Sequence, residues 1–204
     1  SGTAAAHHSD NPHGMLMGLP GIKIAFPSSA ADFKGLLIES IREPNPVVFF
    51  ADLMLLGKKG DVPEGAYSIE FGKADVKREG TDVTVVAIGG TVPRARGVAG
   101  QLAETGVSVE VIDPRTLVPF DWDAVAKSVS KTGRLVAVDP NRETCGAASE
   151  IITQAVERCW SQLKAQPQRV TWPNVPMPYS PPLEKAVVSD LDDIRRAIEL
   201  TLKS

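Results

Sequence analysis

Short apolar runs alternate along this chain with segments whose apolar positions recur at helical spacing. That alternation predicts an α/β fold with a mostly parallel sheet flanked by helices. The first predicted strand is "IKIAFP" (22–27), introduced by the turn "LPG". In "SSAADFKGLLIESIRE", Ser28 or Ser29 can cap a helix, and Phe33, Leu36, Leu37, Ser40 and Ile41 line one face of it. Pro44 and Pro46 end that helix. "VVFFAD" (47–52) is a continuous apolar run, as expected of a buried parallel strand.

From Leu53 to about Gly80 the glycines and charges read as a connection between two domains, with a short strand or two around Tyr67 to Phe71. Regular periodicity then returns. "DVTVVAIGG" is a buried strand, and "TVPRARGVAGQLAETG" a helix closed by Gly106. "VSVEVIDPRTLVPFD" is a strand with its exit loop, "WDAVAKSVSKTG" a helix ended by Gly133, and "RLVAVDP" a strand. A helix from about Gly146 to Gln162, the strand "QRVTWP", a Pro-rich loop "NVPMPYSPP" and a last helix from Leu191 to Lys203 complete the order. Asp190, Asp192 and Asp193 favour the start of that last helix through its dipole. The opening "SGTAAAHHSDNPHG" has no periodicity and reads as a loop from the middle of a larger domain.

Composition adds constraints. The chain is 43% hydrophobic and 23% charged, the balance of a globular protein. Its formal charge of −3 argues against a nucleic-acid binder and gives no reason to expect anionic membranes as partners. No apolar run approaches the length of a membrane helix. Cys145 and Cys159 are too few for a disulfide framework and wrongly spaced for zinc, so reduced thiols are expected.

No complete catalytic motif is present. "AIGG" (87–90) ends a strand before a helix, where backbone N–H groups could meet an anion or simply form a tight turn. His7, His8 and His13 cluster within an irregular stretch with Asp10 as the nearest further ligand, a poor zinc set. One of them could serve in acid/base or substrate contact, and a solvated loop is the plain alternative. Arg115 sits at a strand's C-terminal edge, as a binding group or, more simply, in a domain-interface ion pair. Trp122, Trp160 and Trp172 are assigned to packing, and the cations of "KADVKREG" to a solvated face.

The ordered segments carry a resemblance. "HHSDNPHGMLMGLPGIKIAFPSSAADFKGLLIESIREPNPVVFF" resembles the second half of the pyrimidine-binding domain in beta subunits of thiamine-diphosphate-dependent 2-oxo acid dehydrogenases. "VPEGAYSIEFGKADVKREGTDVTVVAIGG" is similar to their interdomain linker and the first strand of a transketolase C-terminal domain. "VEVIDPRTLVPFD", "KTGRLVAVD" and "VPMPYSPPLEKAVV" continue the match in order. The resemblance implies residues 1–52 as half a pyrimidine-binding domain, 53–71 as linker and 72–204 as the C-terminal-like domain.

It further implies an α2β2 heterotetramer with thiamine diphosphate between the subunits. The alpha subunit would hold the diphosphate and Mg²⁺, and the acyl group from the 2-oxo acid would pass to lipoyl on a dihydrolipoyl acyltransferase core. The C-terminal domain would serve assembly and docking. His8 falls on the histidine of the family's H-S-Q segment, implicated in acyl transfer, with Asp10 in place of the usual glutamine. The backbone carbonyls around Ser40, Glu43 and Asn45 match the family's potassium site. The family's glutamate that protonates the aminopyrimidine lies upstream of that segment, and nothing precedes Ser1 here, so the chain alone is expected to be inactive. Its apolar sheet edge would favour association. Pyruvate, branched-chain and acetoin types are not separable from these residues. Another thiamine-diphosphate enzyme, such as an acetoin dehydrogenase, a 1-deoxyxylulose-phosphate synthase or a transketolase, or a noncatalytic assembly module are the alternatives. The compartment implied is bacterial cytoplasm or mitochondrial matrix.

Overall fold

The computed structural model describes residues 5–203. Residues 1–4, where the predicted opening loop begins, and 204 lie outside the described part. Two sheets form. The larger has the order β3–β5–β4–β7–β8, made of Asp75–Arg78, Val109–Asp113, Val83–Ala87, Leu135–Arg142 and Gln168–Trp172. Its pairs are parallel except β3 with β5. The smaller has the order β2–β1–β6, made of Val47–Phe49, Lys23–Ala25 and Thr116–Val118. β1 runs parallel to β2 and antiparallel to β6.

The larger sheet is apolar on both faces, as strands with helices above and below must be. Val83, Val85 and Ala87 of β4 and Val136 and Val138 of β7 share one core with α4 (Thr91–Ala103) and α8 (Leu191–Leu202). The alternate residues, Val86, Leu135 and Ala137, face α5 (Trp122–Thr132) and α6 (Ala147–Cys159). The second core also takes in Ile24 and Phe26, so the small sheet's apolar side is continuous with it. Gly106 and Gly133 lie at the predicted helix ends with φ of 85° and 73°. Asp190 and Asp193 form a reciprocal capping box at the start of α8.

Several expectations are corrected. The opening segment contains two short helices, α1 (Ala5–Ser9) and α2 (His13–Met17). The helix α3 (Ala30–Arg42), capped by Ser29, buries Asp32, Gly35 and Leu36, whereas Leu37 and Ile41 point outward. Its inner face is set by the close approach of Tyr67 and Ile69 over Gly35 and by the ion cluster at Asp32. β2 is parallel as expected but only half-buried, because it is an edge strand. Residues 67–71 form no strand; the backbone there meets α3 through Ile69 N–H to the Gly35 carbonyl, and the strand comes later as β3. The exit loop of β5 contains β6, which crosses into the other sheet. The Pro-rich loop leads into a further helix, α7 (Pro181–Val187). Trp172 is buried and Trp122 stacks on Phe120, but Trp160 is 73% exposed on a 3-10 turn after α6.

Candidate functional site

α1 and α2 fold the histidine segment against the C-terminal end of β7. The Asp10 amide closes α1 on the Ala6 carbonyl at 3.0 Å. Asn11 Nδ2 donates to the Pro140 carbonyl at 2.8 Å, and Arg142 pairs with Asp10 at 2.8 Å. His8 is thereby exposed on the wall of a cleft of about 210 Å³, opposite elements of the larger sheet's lobe. Asp52, Thr91, Arg94, Trp172 and Ser189 also line it. His7 stacks obliquely on His8, ring centroids 3.9 Å apart.

The "AIGG" turn at the cleft's edge already holds an anion, supplied by the chain. Asp52 accepts from the Gly90 amide at 3.0 Å and from the Met54 amide at 2.9 Å. A carboxylate at the N-terminal end of α4 satisfies an orphan N–H and meets the positive end of the helix dipole. Nearby, Arg94 donates to the Ser189 carbonyl at 3.1 Å.

His13 is placed apart from His8. It is fully buried, with Nε2 2.7 Å from Asp139 Oδ1, and its ring meets Phe26 and Phe50 edge-on. Sequence reading missed both Asp139 and Asp52. The position of Asp52 just past a strand's C-terminal end was the available signal; for Asp139 there was none, since its partner is 126 residues away.

Ser40, Glu43 and Asn45 lie away from the cleft at the end of α3. Ser40 Oγ donates to the Leu36 carbonyl at 2.7 Å, and Glu43 pairs with Lys23 at 2.5 Å while accepting from Asn45 Nδ2 at 2.6 Å. These side chains already have partners, Ser40 a backbone carbonyl and Glu43 both Lys23 and Asn45, so a cation there would be met by backbone carbonyls.

Arg115 takes its ion-pair role. With φ of 59° it turns the chain from β5 to β6, and its guanidinium contacts Asp32 at 2.7 Å and Asp75 at 2.9 Å. Lys77, expected on a solvated face, instead sits among Asp32 at 2.7 Å, Asp75 at 2.6 Å and Asp113 at 3.7 Å. Burial pushes Asp113, which accepts from Ser28, up to about 6. Burial also pushes the Asp32 carboxyl up, but hydrogen bonds from Lys77 and Ser29 and the two nearby cations outweigh it, holding Asp32 below its ordinary value. The cluster joins α3 to β3 and β5, and none of its residues lines the cleft.

The sequence family described as "Transketolase, C-terminal domain" matches residues 72–194, more than half of the chain. The chain belongs to that family. Outside the matched domain, similarity extends over nearly the whole length. The chain is 42% identical to the acetoin:2,6-dichlorophenolindophenol oxidoreductase subunit beta of Bacillus subtilis, over 94% of this chain and 56% of that protein. It is 40% identical to the pyruvate dehydrogenase E1 component subunit beta of the same organism, over 85% and 54%. For the 2-oxoisovalerate dehydrogenase subunit beta the identity is 37%, over 95% and 60%. The chain thus spans a little over half the length of these relatives. Among solved structures, a split-gene transketolase described as an inactive beta4 tetramer superposes with a TM-score of 0.75 at 23% identity, over 97% of this chain and 63% of that one. That likeness supports the transketolase C-terminal-type fold.

Proposed function

We propose that the chain is the beta-subunit portion of a thiamine-diphosphate-dependent 2-oxo acid dehydrogenase, acting in oxidative decarboxylation with acyl transfer to lipoyl. The observation that carries this reading is the similarity at 37–42% identity to the beta subunits of a pyruvate dehydrogenase, a 2-oxoisovalerate dehydrogenase and an acetoin oxidoreductase, combined with His8 on a polar cleft. In it, residues 1–52 are half of the pyrimidine-binding domain, 53–71 the connection and 72–204 the C-terminal-like domain.

The cleft fits a shared site. Its walls offer an imidazole, a carboxylate, a hydroxyl and a guanidinium, groups able to hold or move protons beside a charged coenzyme. Its volume of about 210 Å³ is below the roughly 300–1,000 Å³ of a pocket that encloses a ligand unaided. Residues of an alpha subunit would therefore complete it and hold the diphosphate and Mg²⁺. Thiamine diphosphate, when bound, supplies the carbanion that attacks the 2-oxo carbon. In this chain, His8 would hold or release a proton as the acyl group leaves for lipoyl on the dihydrolipoyl acyltransferase. Asp52 and Thr91 fix the turn that forms the opposite wall. A structural K⁺ would bind the carbonyls around Ser40, Glu43 and Asn45, and a higher melting temperature in potassium than in sodium would support it.

The test is to combine the protein, at its native length, with an alpha subunit of this enzyme class and to assay pyruvate, branched-chain 2-oxo acids and acetoin. Turnover of a 2-oxo acid, dependent on thiamine diphosphate and lost in His8→Ala at the acyl-transfer step, supports the reading; turnover of acetoin alone, which has no carboxylate to lose, would overturn the decarboxylation. Tight association with no turnover would replace it with a noncatalytic assembly role.

A further inference from the structure

The segment that carries His8 is fastened to the end of β7 by a run of ties in opposite chain directions. Asp10 meets Arg142, Asn11 meets the Pro140 carbonyl, and His13 meets Asp139. At Gly14 the two backbones come so close that a Cβ would lie 2.5 Å from the Cys145 carbonyl oxygen and 3.0 Å from Asn141 Nδ2. Position 14 therefore has no room for a side chain unless the two segments move apart.

These ties differ in strength. Asp10 and Arg142 are 35% and 23% exposed, so water and salt screen their attraction. His13 and Asp139 are both 0% exposed. Asp139 is held from its other side as well, because Oδ2 accepts from the Ala148 amide in the first turn of α6 at 3.0 Å. With a carboxylate as acceptor, His13 donates through Nε2. Its Nδ1 is buried and has no hydrogen-bond partner among the described residues. Removing the imidazole N–H would leave a fully buried Asp139 oxygen without its donor, a cost that movement of the α1–α2 segment to admit water would relieve.

We propose that His13 and Asp139 are positioning residues, a buried clamp that sets where α1 presents His8 in the cleft. The inference rests on the reading of His8 as the proton-handling group. The link between clamp and His8 is short and stiff: the Asp10 amide is bound to the Ala6 carbonyl, and Pro12, whose carbonyl accepts from the Met15 and Leu16 amides, restricts the chain between them. A displacement at His13 is thus passed on to His8.

His13→Gln keeps an N–H donor near the position of Nε2, whereas His13→Leu removes it and keeps much of the volume. In the complex with the alpha subunit, His13→Leu and Asp139→Asn should lower kcat for acyl transfer on the order of 10- to 100-fold, the scale of a misplaced catalytic group. KM for the 2-oxo acid should change less than about threefold, since substrate binding is not the function removed. His13→Gln should recover kcat to within about fivefold of wild type. Val129→Ala, in the remote core of α5, serves as a destabilised control whose kcat should not fall. The chain has only three histidines, so ring NMR signals, assigned with His8→Gln, report on His8 directly. The clamp variants should shift the His8 signal and the control should not. If His13→Leu does not fold, Asp139→Asn, which retains an acceptor for the Ala148 amide, carries the same readings. An unmoved His8 signal, or a kcat loss no larger than the control's, overturns the proposal. A His8→Gln protein that retains acyl transfer would sink the role given to His8, while the clamp would still stand or fall on the NMR shift.

Discussion

In the larger sheet Val83, Val85 and Ala87 face one pair of helices while Val86 and Ile88 face the other, and all five are buried. In the smaller sheet Val47, Val48 and Phe49 are only half-buried, and each strand is three residues long. The larger sheet is held by two continuous apolar cores. The smaller sheet shares one of those cores through Ile24 and Leu117, but it and its attached helices are also tied to the rest by specific charged or polar contacts: Asp32 with Arg115 and Lys77, Asp52 with the Gly90 amide, and His13 with Asp139. Nonpolar burial tolerates any partner of the right size, whereas a buried charge requires a specific one. The region carrying the candidate site is therefore the region whose geometry depends on individual residues.

The sharpest contrast is in cost per substitution. Leu135→Ala empties space beneath the larger sheet, where Leu135 is fully buried among Val129, Ile151 and their neighbours. It should cost about 2–5 kcal/mol in urea unfolding. A cost below about 1 kcal/mol would mean that the two-sided core is not what holds this lobe.

The charged junction should respond to pH where the apolar lobe does not. Asp113 has its carboxyl raised from 3.8 to about 6. At 1.36 kcal/mol per pH unit that rise corresponds to about 3 kcal/mol. Because the folded value is the higher one, this stabilisation is complete below pH 3.8 and is lost as pH rises through about 6. Asp32, held low, acts in the opposite sense: its contribution is present above the ordinary aspartate value and disappears as pH falls through its depressed one. Unfolding free energies measured from pH 4 to pH 7 should decline through this window, and Asp113→Asn should flatten the decline. A variant with the wild-type slope would remove Asp113 as its source.

The same contrast explains which parts of the protein could be read from its sequence. β4, β5 and β7 announce themselves as largely apolar runs and β8 by the alternation of Val170 and Trp172 with polar residues, and Gly133 or the Asp190–Asp193 box mark helix ends locally. His8 could be chosen only through resemblance, since an exposed imidazole leaves no local signature. The ties at the site and in the ion cluster were not legible because they join residues far apart: Asp139 to His13 and Asp52 to Gly90 at the site, and Lys77 to Asp32 in the cluster. Lys77 in "KADVKREG" looks like any solvated lysine until α3 brings Asp32 against it. Leu37 and Ile41 were misread for a related reason, because apolar spacing alone cannot show that Asp32 and Gly35 define the inner face of α3.

A smaller effect is expected where a charge meets only a helix end. Asp52→Ala removes the acceptor for the Gly90 amide and the negative charge at α4, a loss of about 1 kcal/mol. Asp52 lines an open cleft, so added salt should narrow the difference in melting temperature between Asp52→Asn and wild type. A salt-independent difference would assign the effect to the hydrogen bond instead of the dipole.

Trp160 gives the smallest expected change and tests the comparison from the apolar side. A tryptophan is ordinarily a large contributor to a core, and its place at the end of α6 suggests packing. At 73% exposure it has little apolar area removed from water, so Trp160→Ser should alter stability by less than about 0.5 kcal/mol. A loss above about 1 kcal/mol would mean that another surface covers Trp160 in solution. Mass action then makes a second requirement: the apparent stability of the wild-type chain, but not of Trp160→Ser, would rise with protein concentration.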